Sequence, residues 1–218
     1  MKVSLNQKIL SRNEEAAAKN RQFFAEHKVF CLNVISSPGA GKTALLERTI
    51  RDLKERYAIG VIEGDIETDN DARRIQAAGA RAFQIETKGA CHLSAEQVHN
   101  ALKMIDAQTL DLVFIENVGN LVCPSAFDLG ESGRVVILSV PEGDDKPAKY
   151  PGTFAGASVI VLNKIDLLPY VPFDLSRVLA DIHTVNPQAP VLQLSAATGE
   201  GIDAWYDWLR RHLEKKQP

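Results

Sequence analysis

Short apolar runs alternate with helical patterns along most of the chain. The runs are VFCLNVI, IGVIEGD, RAFQI, LVFIE, RVVILSV, SVIVLN and VLQLSA. They are apolar almost throughout instead of alternating with polar residues, which is typical of parallel strands covered on both faces. The pattern therefore predicts an α/β fold with a mostly parallel central sheet flanked by helices on both faces. In such a sheet, ligands bind at the carboxyl ends of the strands.

Two stretches differ from this alternation. Residues 4–27 precede the first run and have high helix propensity, which predicts a leading helix packed on the body of the protein. We expect residues 1–28 to form an N-terminal helical segment and residues 29–218 to form the domain that carries the functional sites. The stretch PEGDDKPAKYPGTFAGA, residues 141–157, is predicted to be an irregular loop, and its length indicates a function.

Composition narrows the class of protein. A chain of 218 residues with 45% hydrophobic content suits a single core. A formal net charge of −3 and a pI near 6.0 disfavour nucleic acid as a partner. No apolar stretch approaches the roughly 18 residues of a membrane span, and the start lacks a signal-peptide pattern, so we expect a cytoplasmic protein. Three cysteines do not make a disulfide framework; we expect Cys31 in the core, which leaves Cys91 and Cys123 for metal or redox chemistry.

A phosphate loop follows the first apolar run. SSPGAGKT, residues 36–43, lies between a strand and a helix, where a Gly-x-x-x-x-Gly-Lys-Thr motif binds nucleotide phosphates, although Ser36 takes the place of the first glycine. Backbone N–H groups and the helix start favour phosphate oxygens, and Lys42 can bridge the terminal phosphates. The expected nucleotide-binding residues of this loop are Ser37, Pro38, Gly39, Ala40, Gly41, Lys42 and Thr43.

Carboxylates at two other strand ends are candidates for holding Mg²⁺. Asp65 ends the strand in EGDIETDNDA, and Glu116 ends the strand before NVGNLVCP. With the Thr43 hydroxyl, these oxygens suit direct or water-mediated Mg²⁺ contacts in phosphoryl transfer. The predicted catalytic residues are Lys42, Thr43, Asp65 and Glu116. Because Asn120 follows Gly119 where many signalling GTPases keep a water-orienting glutamine, we predict slow intrinsic hydrolysis.

Two later loops predict recognition of guanine. VIVLNKID ends a strand with Asn163, Lys164 and Asp166, and a carboxylate there can accept from both the ring N–H and the exocyclic amine of guanine. Adenine offers no such donor pair and would leave the carboxylate unpaired, a mismatch that such sites reject strongly. One strand later, LSAATGEG offers backbone N–H groups to the guanine oxygen, and the residues concerned are Ser195, Ala196 and Ala197.

A metal-binding pattern is formed by Cys91, His92 and the later Cys123. Ser94 and Gln97 read as a capping box that starts the next helix, so the helix start is expected to lower the pKa of Cys91. Parallel topology can bring Cys123 to the same sheet edge. Two thiolates and an imidazole suit zinc or nickel, one short of the usual four ligands. The fourth is then water or a group from a second subunit.

These motifs and their order resemble the P-loop metallochaperone GTPases of the SIMIBI class. TKGACHLSAEQVHNAL, ENVGNLVCP and EGDDKPAKYP are similar to the hydrogenase nickel-incorporation GTPases, the HypB family, with a likeness over roughly residues 29–215. The resemblance implies a GTPase that uses GTP, GDP and Mg²⁺ and delivers nickel, with Ni²⁺ or Zn²⁺ at the trio, to mature [NiFe] hydrogenase. It also implies three partners: the hydrogenase large-subunit precursor, a companion nickel-binding accessory protein, and a second copy in a GTP-dependent homodimer.

The position of Cys123 just after Glu116 and Gly119 leads to a hypothesis of coupling. If this segment moves between nucleotide states, Cys123 moves with it, and metal and GTP affinities become linked. Other functions remain open: an accessory GTPase for urease or a cobalamin mutase, a GTP-gated interaction protein with a structural zinc, or an ATP-dependent kinase.

Overall fold

The computed structural model describes residues 5–65, 70–87 and 89–214, and the side chains of residues 5–9 and of Asp65 lie outside that description. A strand forms at each of the seven apolar runs. The strands are Phe30–Ser36 (β1), Ile59–Asp65 (β2), Arg81–Glu86 (β3), Leu112–Glu116 (β4), Gly133–Ser139 (β5), Val159–Asn163 (β6) and Val191–Gln193 (β7). The α-helices are Leu5–Glu26 (α1), Lys42–Leu53 (α2), Asn70–Ala78 (α3), Ala95–Met104 (α4), Cys123–Ala126 (α5), Lys146–Lys149 (α6), Pro151–Ala155 (α7), Leu175–Val185 (α8) and Ile202–Glu214 (α9).

The strands form one parallel sheet in the order β3-β2-β4-β1-β5-β6-β7. The predicted fold class is therefore confirmed. β1 lies at the centre between β4 and β5, in a register that pairs Val34 with Glu116. The loop after β1 and the segment after β4 consequently leave the sheet side by side at its carboxyl edge, which is where open α/β sheets bind ligands.

Helices cover both faces of the sheet. On one face α2, α3 and α9 bury a core that includes Leu45, Phe114 and Trp205. On the other face, α1 and α4 pack over β1, β2 and β4, while α7 and α8 pack over β5 and β6. Cys31 is fully buried on this second face, as predicted. Burial on both sides explains why the strand sequences lack polar alternation.

The leading helix predicted at residues 4–27 is confirmed as α1, and two asparagines attach it to the body. Asn20 is fully buried and its Nδ2 donates to the carbonyls of Ala95 (2.8 Å) and Leu129 (2.9 Å). Asn13 accepts from the Ala95 N–H (2.9 Å) and donates to the Asp128 carbonyl (2.7 Å). α1 therefore holds the start of α4 and the loop before β5 together.

The stretch at residues 141–157 differs from its prediction as an irregular loop. It contains a 3-10 turn, Val140–Glu142, and the short helices α6 and α7. Pro147 and Pro151 stand in the first turns of these helices, where a missing N–H costs nothing and the fixed φ suits a helix. Prolines that read as loop signals therefore start helices here. Across the described ranges, no helix has the length and apolar content needed to cross a membrane.

Candidate nucleotide and metal sites

Two left-handed glycines shape the loop between β1 and α2. Gly39 has φ 74° and Gly41 has φ 96°, and a Cβ on Gly41 would lie 2.5 Å from Asn163 Nδ2. Side chains are therefore excluded at Gly41 by both conformation and space. Ser36 remains within β1, so its position needs no glycine. Its Oγ accepts a hydrogen bond from Lys42 Nζ (3.3 Å).

Asn163 ties this phosphate loop to the two predicted base-binding loops. Its Nδ2 donates to the Ala40 carbonyl (2.9 Å), and its Oδ1 accepts from the N–H groups of Lys164 (2.8 Å) and Ala196 (3.0 Å). Lys164 Nζ donates to the Gly39 carbonyl (2.6 Å). Three segments that are distant in sequence therefore meet through one buried amide. Asn163 and Lys164, which are predicted to contact the nucleotide, therefore also hold the surrounding loops in place.

Asp166 presents an unsatisfied carboxylate oxygen beside these loops. It lies in a 3-10 turn after Lys164, which is itself left-handed at φ 64°. Its Oδ1 is buried and has no hydrogen-bond partner among the described residues. A buried acceptor without a partner costs free energy, so a ligand that brings N–H donors would be favoured there. The paired N–H donors of guanine match this requirement.

The backbone amides of the last predicted loop differ from expectation. The Ser195 N–H donates to the Glu200 carbonyl (2.8 Å), and the Ala196 N–H donates to Asn163 Oδ1. The N–H groups of Ser195 and Ala196 are therefore already hydrogen-bonded within the protein. In the part of the chain described here, Ala197 is left with the backbone N–H that can meet a base oxygen.

A cavity of about 410 Å³ lies between the phosphate loop and the end of β4, and carboxylates form its floor. Thr43 Oγ1 donates to Glu116 Oε1 (2.8 Å). Glu63, in the interior of β2, lies beside Glu116; both side chains are buried, and Glu63 Oε1 and Glu116 Oε2 have no described partner. Burial, and then the neighbouring Glu116, raise the pKa of Glu63 to about 10. Burial likewise raises the pKa of Glu116, against the opposing effect of Lys42.

Sequence reasoning missed Glu63. The available signal was a glutamate inside IGVIEGD, an otherwise apolar run in which a charged residue needs a partner or a function. Two unpaired carboxylate oxygens beside the Thr43 hydroxyl make a set of hard oxygen donors that fits Mg²⁺. Asp71 also lines the cavity, whereas the side chain of Asp65 and all of Asp69 lie outside the described residues.

The segment after β4 touches the phosphate loop and then begins the metal site. A Cβ on Gly119 would lie 3.0 Å from Pro38, closer than ordinary van der Waals contact, so a larger residue would push the two segments apart. Asn120 Oδ1 accepts from the N–H groups of Val122 (2.7 Å) and Cys123 (3.4 Å) and thereby organises the start of α5. This side chain, which stands where other GTPases orient water, is engaged elsewhere.

The structure brings the three predicted metal ligands together. The Sγ atoms of Cys91 and Cys123 and a ring nitrogen of His92 lie within 4.8 Å of one another. Cys91 Sγ is 3.6 Å from His92 Nδ1. The His92 ring stacks on Phe127, with centroids 3.8 Å apart at 21°. Cys91 is exposed, and burial lowers the pKa of His92, which favours the neutral imidazole that binds metals.

The pKa of Cys91 does not follow its prediction. A hydrogen bond with the Cys123 thiol, followed by burial, raises this pKa above its ordinary value. The predicted capping box at Ser94 and Gln97 is present, but α4 begins at Ala95, and Cys91 lies ahead of its first turn. The neighbouring thiol therefore outweighs the helix start, whose effect falls off within the first turn.

Comparison with known proteins shows which family the sequence and fold match. A profile of the CobW/HypB/UreG nucleotide-binding domain matches residues 31–193. Hydrogenase maturation factor HypB of Rhizobium leguminosarum bv. viciae is 53% identical over 207 residues, which cover 95% of this chain and 69% of that protein. The crystal structure of hydrogenase maturation factor HypB from Archaeoglobus fulgidus matches with a TM-score of 0.88 and 40% identity, over 94% of this chain and 100% of that one.

A second solved structure, HypB from Helicobacter pylori in complex with nickel, also has a TM-score of 0.88, at 36% identity over 94% of this chain and 96% of that one. Both the fold and most of the sequence are therefore shared. The chain belongs to the CobW/HypB/UreG family of nucleotide-binding domains and, within it, to the HypB hydrogenase maturation factors.

Proposed function

We propose that this chain hydrolyses GTP and delivers nickel to the large-subunit precursor of a [NiFe] hydrogenase in the cytoplasm, with its metal site coupled to the nucleotide state. The observation that carries the proposal is the segment after β4. Glu116 at its start lies in the phosphate cavity, and Cys123 further along lies in the metal trio. One short segment thus serves both sites.

In the nucleotide site, the buried oxygen of Asp166 supports selection of guanine. Thr43, Glu116, Glu63 and Asp65 would hold Mg²⁺, which when bound neutralises charge on the phosphates. Lys42 and the backbone N–H groups of residues 39–43 stabilise the charge that develops as water attacks the terminal phosphorus and the bond to the bridging oxygen breaks, yielding GDP and phosphate. Because the Asn120 side chain is bonded to N–H groups at the start of α5, it does not orient the water, and intrinsic turnover stays well below ~10 per second.

Nickel is the cargo, and Cys91, His92 and Cys123 are its ligands. Two sulfurs and one imidazole nitrogen suit Ni²⁺ as well as Zn²⁺. The exposed Cys91 supports exchange of a cargo metal, since structural zinc sites are closed by four protein ligands. A fourth ligand from water or from a second copy completes the site. The proposed partners are a second copy of the chain, in a GTP-dependent homodimer, and a companion nickel-binding accessory protein.

Alanine variants of the thiols test the proposal. Cys91→Ala and Cys123→Ala should each abolish stoichiometric nickel binding and hydrogenase maturation, while Mg²⁺-dependent GTP hydrolysis in the absence of nickel continues. Cys31→Ala is the matched control, because this thiol is buried in the core away from the trio. Metal content, GTP turnover and hydrogenase activity in cells lacking their own copy of the gene are the three measurements.

Two results would contradict delivery. Unfolding of the metal-free Cys91→Ala protein would indicate a structural zinc that staples the fold. Full hydrogenase maturation by variants that bind no nickel would assign the nickel transfer to another protein.

A further inference from the structure

A buried asparagine joins the two sites and was not singled out by the sequence. Asn117 follows Glu116 at the end of β4, is 1% exposed and lines the phosphate cavity. Its N–H donates to the Val34 carbonyl of β1 (3.0 Å). Its Oδ1 accepts from the N–H of Val118 (3.0 Å), inside the segment that contacts the phosphate loop. Asn117 is therefore fixed to the backbone of the nucleotide site through two of its atoms, the amide nitrogen and Oδ1.

The same Oδ1 also accepts from the Leu93 N–H (3.2 Å), and Leu93 directly follows the metal ligand His92. Leu93 is fully buried and fills the space that a side chain on Gly64 would take: a Cβ there would lie 2.9 Å from the Leu93 side chain. Because Leu93 is buried, water cannot reach its N–H group and replace the hydrogen bond from Leu93 to Asn117. Moving Asn117 must either pull Leu93 along or leave a buried N–H unsatisfied, which is costly.

A second branch reaches the other half of the metal site. Asn117 Nδ2 donates to Asn33 Oδ1 (3.2 Å), and Asn33 Nδ2 donates to Glu131 Oε1 (3.4 Å). Glu131 pairs with Arg134 (2.7 Å), whose guanidinium donates to the carbonyl of Ser125 in α5 (2.8 Å). α5 begins with Cys123. This branch is longer and has a weak step at 3.4 Å, so the Leu93 branch is the main one.

We propose that Asn117 is the positioning residue through which the nucleotide state sets the placement of His92 against the two thiols. This inference rests on the proposed coupling of the sites and names the contact that transmits it. A shift of Glu116 and Gly119 on GTP binding carries the Asn117 side chain, and the buried hydrogen bond to Leu93 carries the backbone next to His92. The trio geometry, and with it metal affinity, then changes with the nucleotide.

The test measures Ni²⁺ affinity with GDP and with a non-hydrolysable GTP analogue, by metal–thiolate absorption, for wild type, Asn117→Ala and Asn186→Ala. Allosteric coupling of ordinary strength predicts a ratio of the two wild-type affinities on the order of five- to 150-fold. In Asn117→Ala the ratio should fall to within roughly twofold of one. All three ligands remain, and the ratio cancels any uniform loss of affinity. Asn186→Ala should keep the wild-type ratio, because its side chain donates to carbonyls near α7, including that of Phe154 (2.9 Å), and accepts from N–H groups of its own loop, such as that of Ala189 (3.1 Å), away from both sites.

If Asn117→Ala does not fold, Asn117→Ser replaces it. The shorter serine hydroxyl can still accept from Val118 but cannot span the distance to Leu93, so the ratio should collapse in the same way. A wild-type ratio retained in a folded Asn117 variant overturns this inference and leaves the proposed function standing. Equal affinities in wild type itself overturn the coupling part of the proposed function, and this inference with it.

Discussion

The nucleotide cavity and the metal trio lie at opposite ends of one segment and are built in opposite ways. Around the cavity, the loops are bound to one another by buried contacts, such as the Asn163 amide that reaches three loops. Carboxylate oxygens without a described partner are also buried there: one of Glu63 in the cavity, and one of Asp166 beside the base-binding loops. At the trio, Cys91 is exposed and His92 rests against a single aromatic ring. The nucleotide site is therefore preorganised, whereas the metal site is open.

The difference matches the two tasks. A nucleotide site must distinguish guanine and stabilise charge, which requires fixed donors and acceptors in a site with little water. A site for a cargo metal must release it, which requires ligands that can part and a face that another protein can approach. Changes in the nucleotide site should therefore have large, specific effects, while changes to the residues that surround the three metal ligands should have smaller, graded effects.

The largest effect is expected at Asp166. In Asp166→Asn, the amide cannot accept both guanine donors, and GTP affinity should fall roughly a hundredfold through the loss of charge-assisted hydrogen bonds in a buried site. Xanthosine triphosphate should bind better than it does to wild type, because xanthine carries a carbonyl where guanine has its amine. Competition against a fluorescent GDP derivative measures both affinities.

Asp174→Asn is the control for this change. Asp174 caps α8 by accepting from the Arg177 N–H (3.0 Å), and asparagine caps helices equally well. Its nucleotide preference should equal that of wild type. An Asp166→Asn protein that still prefers GTP over xanthosine triphosphate would assign base reading to another side chain.

The fold was predictable because its signals are local and repeated. Each of the seven apolar runs became a strand, since a parallel strand buried on both faces has little room for polar residues. Residues 141–157 were mispredicted because proline has two meanings: it ends helices, and it also starts them. Neighbouring residues do not settle that choice in a short helix, whereas packing against the sheet does.

The sites were predictable as sets of residues and less so as geometry. Phosphate-loop spacing identifies Lys42 and Thr43 because phosphate chemistry requires those groups in that order. The raised pKa of Cys91 depends on the distance to Cys123, which the sequence does not contain. Glu63 and Asn117 gain their significance from neighbours on other strands. A polar residue within or just after an apolar strand was their only local signal.

An effect of intermediate size is expected for Glu63→Gln, on the way the free energy of unfolding depends on pH. Burial raises the pKa of this carboxyl from 4.5 to about 10 in the folded protein. Between those values the folded state keeps a proton that the unfolded state has lost, so the free energy of unfolding falls as pH rises. Glu63→Gln removes the titration. Between pH 6 and 8, wild type should lose about 2–3 kcal/mol more than the variant, as urea unfolding of nucleotide-free protein measures.

Glu55→Gln, at an exposed position, should follow the pH profile of wild type. With Mg²⁺ and GDP present, wild type should be more stable than Glu63→Gln, because the variant offers the ion a neutral amide in place of a carboxylate. A pH-independent difference between wild type and Glu63→Gln would mean that this carboxyl is already ionised in the folded protein.

The smallest effect is expected beside the metal site, at Phe127. Phe127 covers one face of the His92 ring with centroids 3.8 Å apart, and Phe127→Leu keeps apolar cover but removes the flat surface that orients the imidazole. Nickel affinity should fall by about 1 kcal/mol, or about fivefold, as is usual for an aromatic pair. Phe23→Leu is the control, since Phe23 also packs on a histidine ring, that of His27, with centroids 4.6 Å apart at 49°, but away from the trio. Nickel titrations of the two variants compare the two pairs directly: equal losses would reflect general destabilisation, while a loss confined to Phe127→Leu means that this ring sets the His92 orientation.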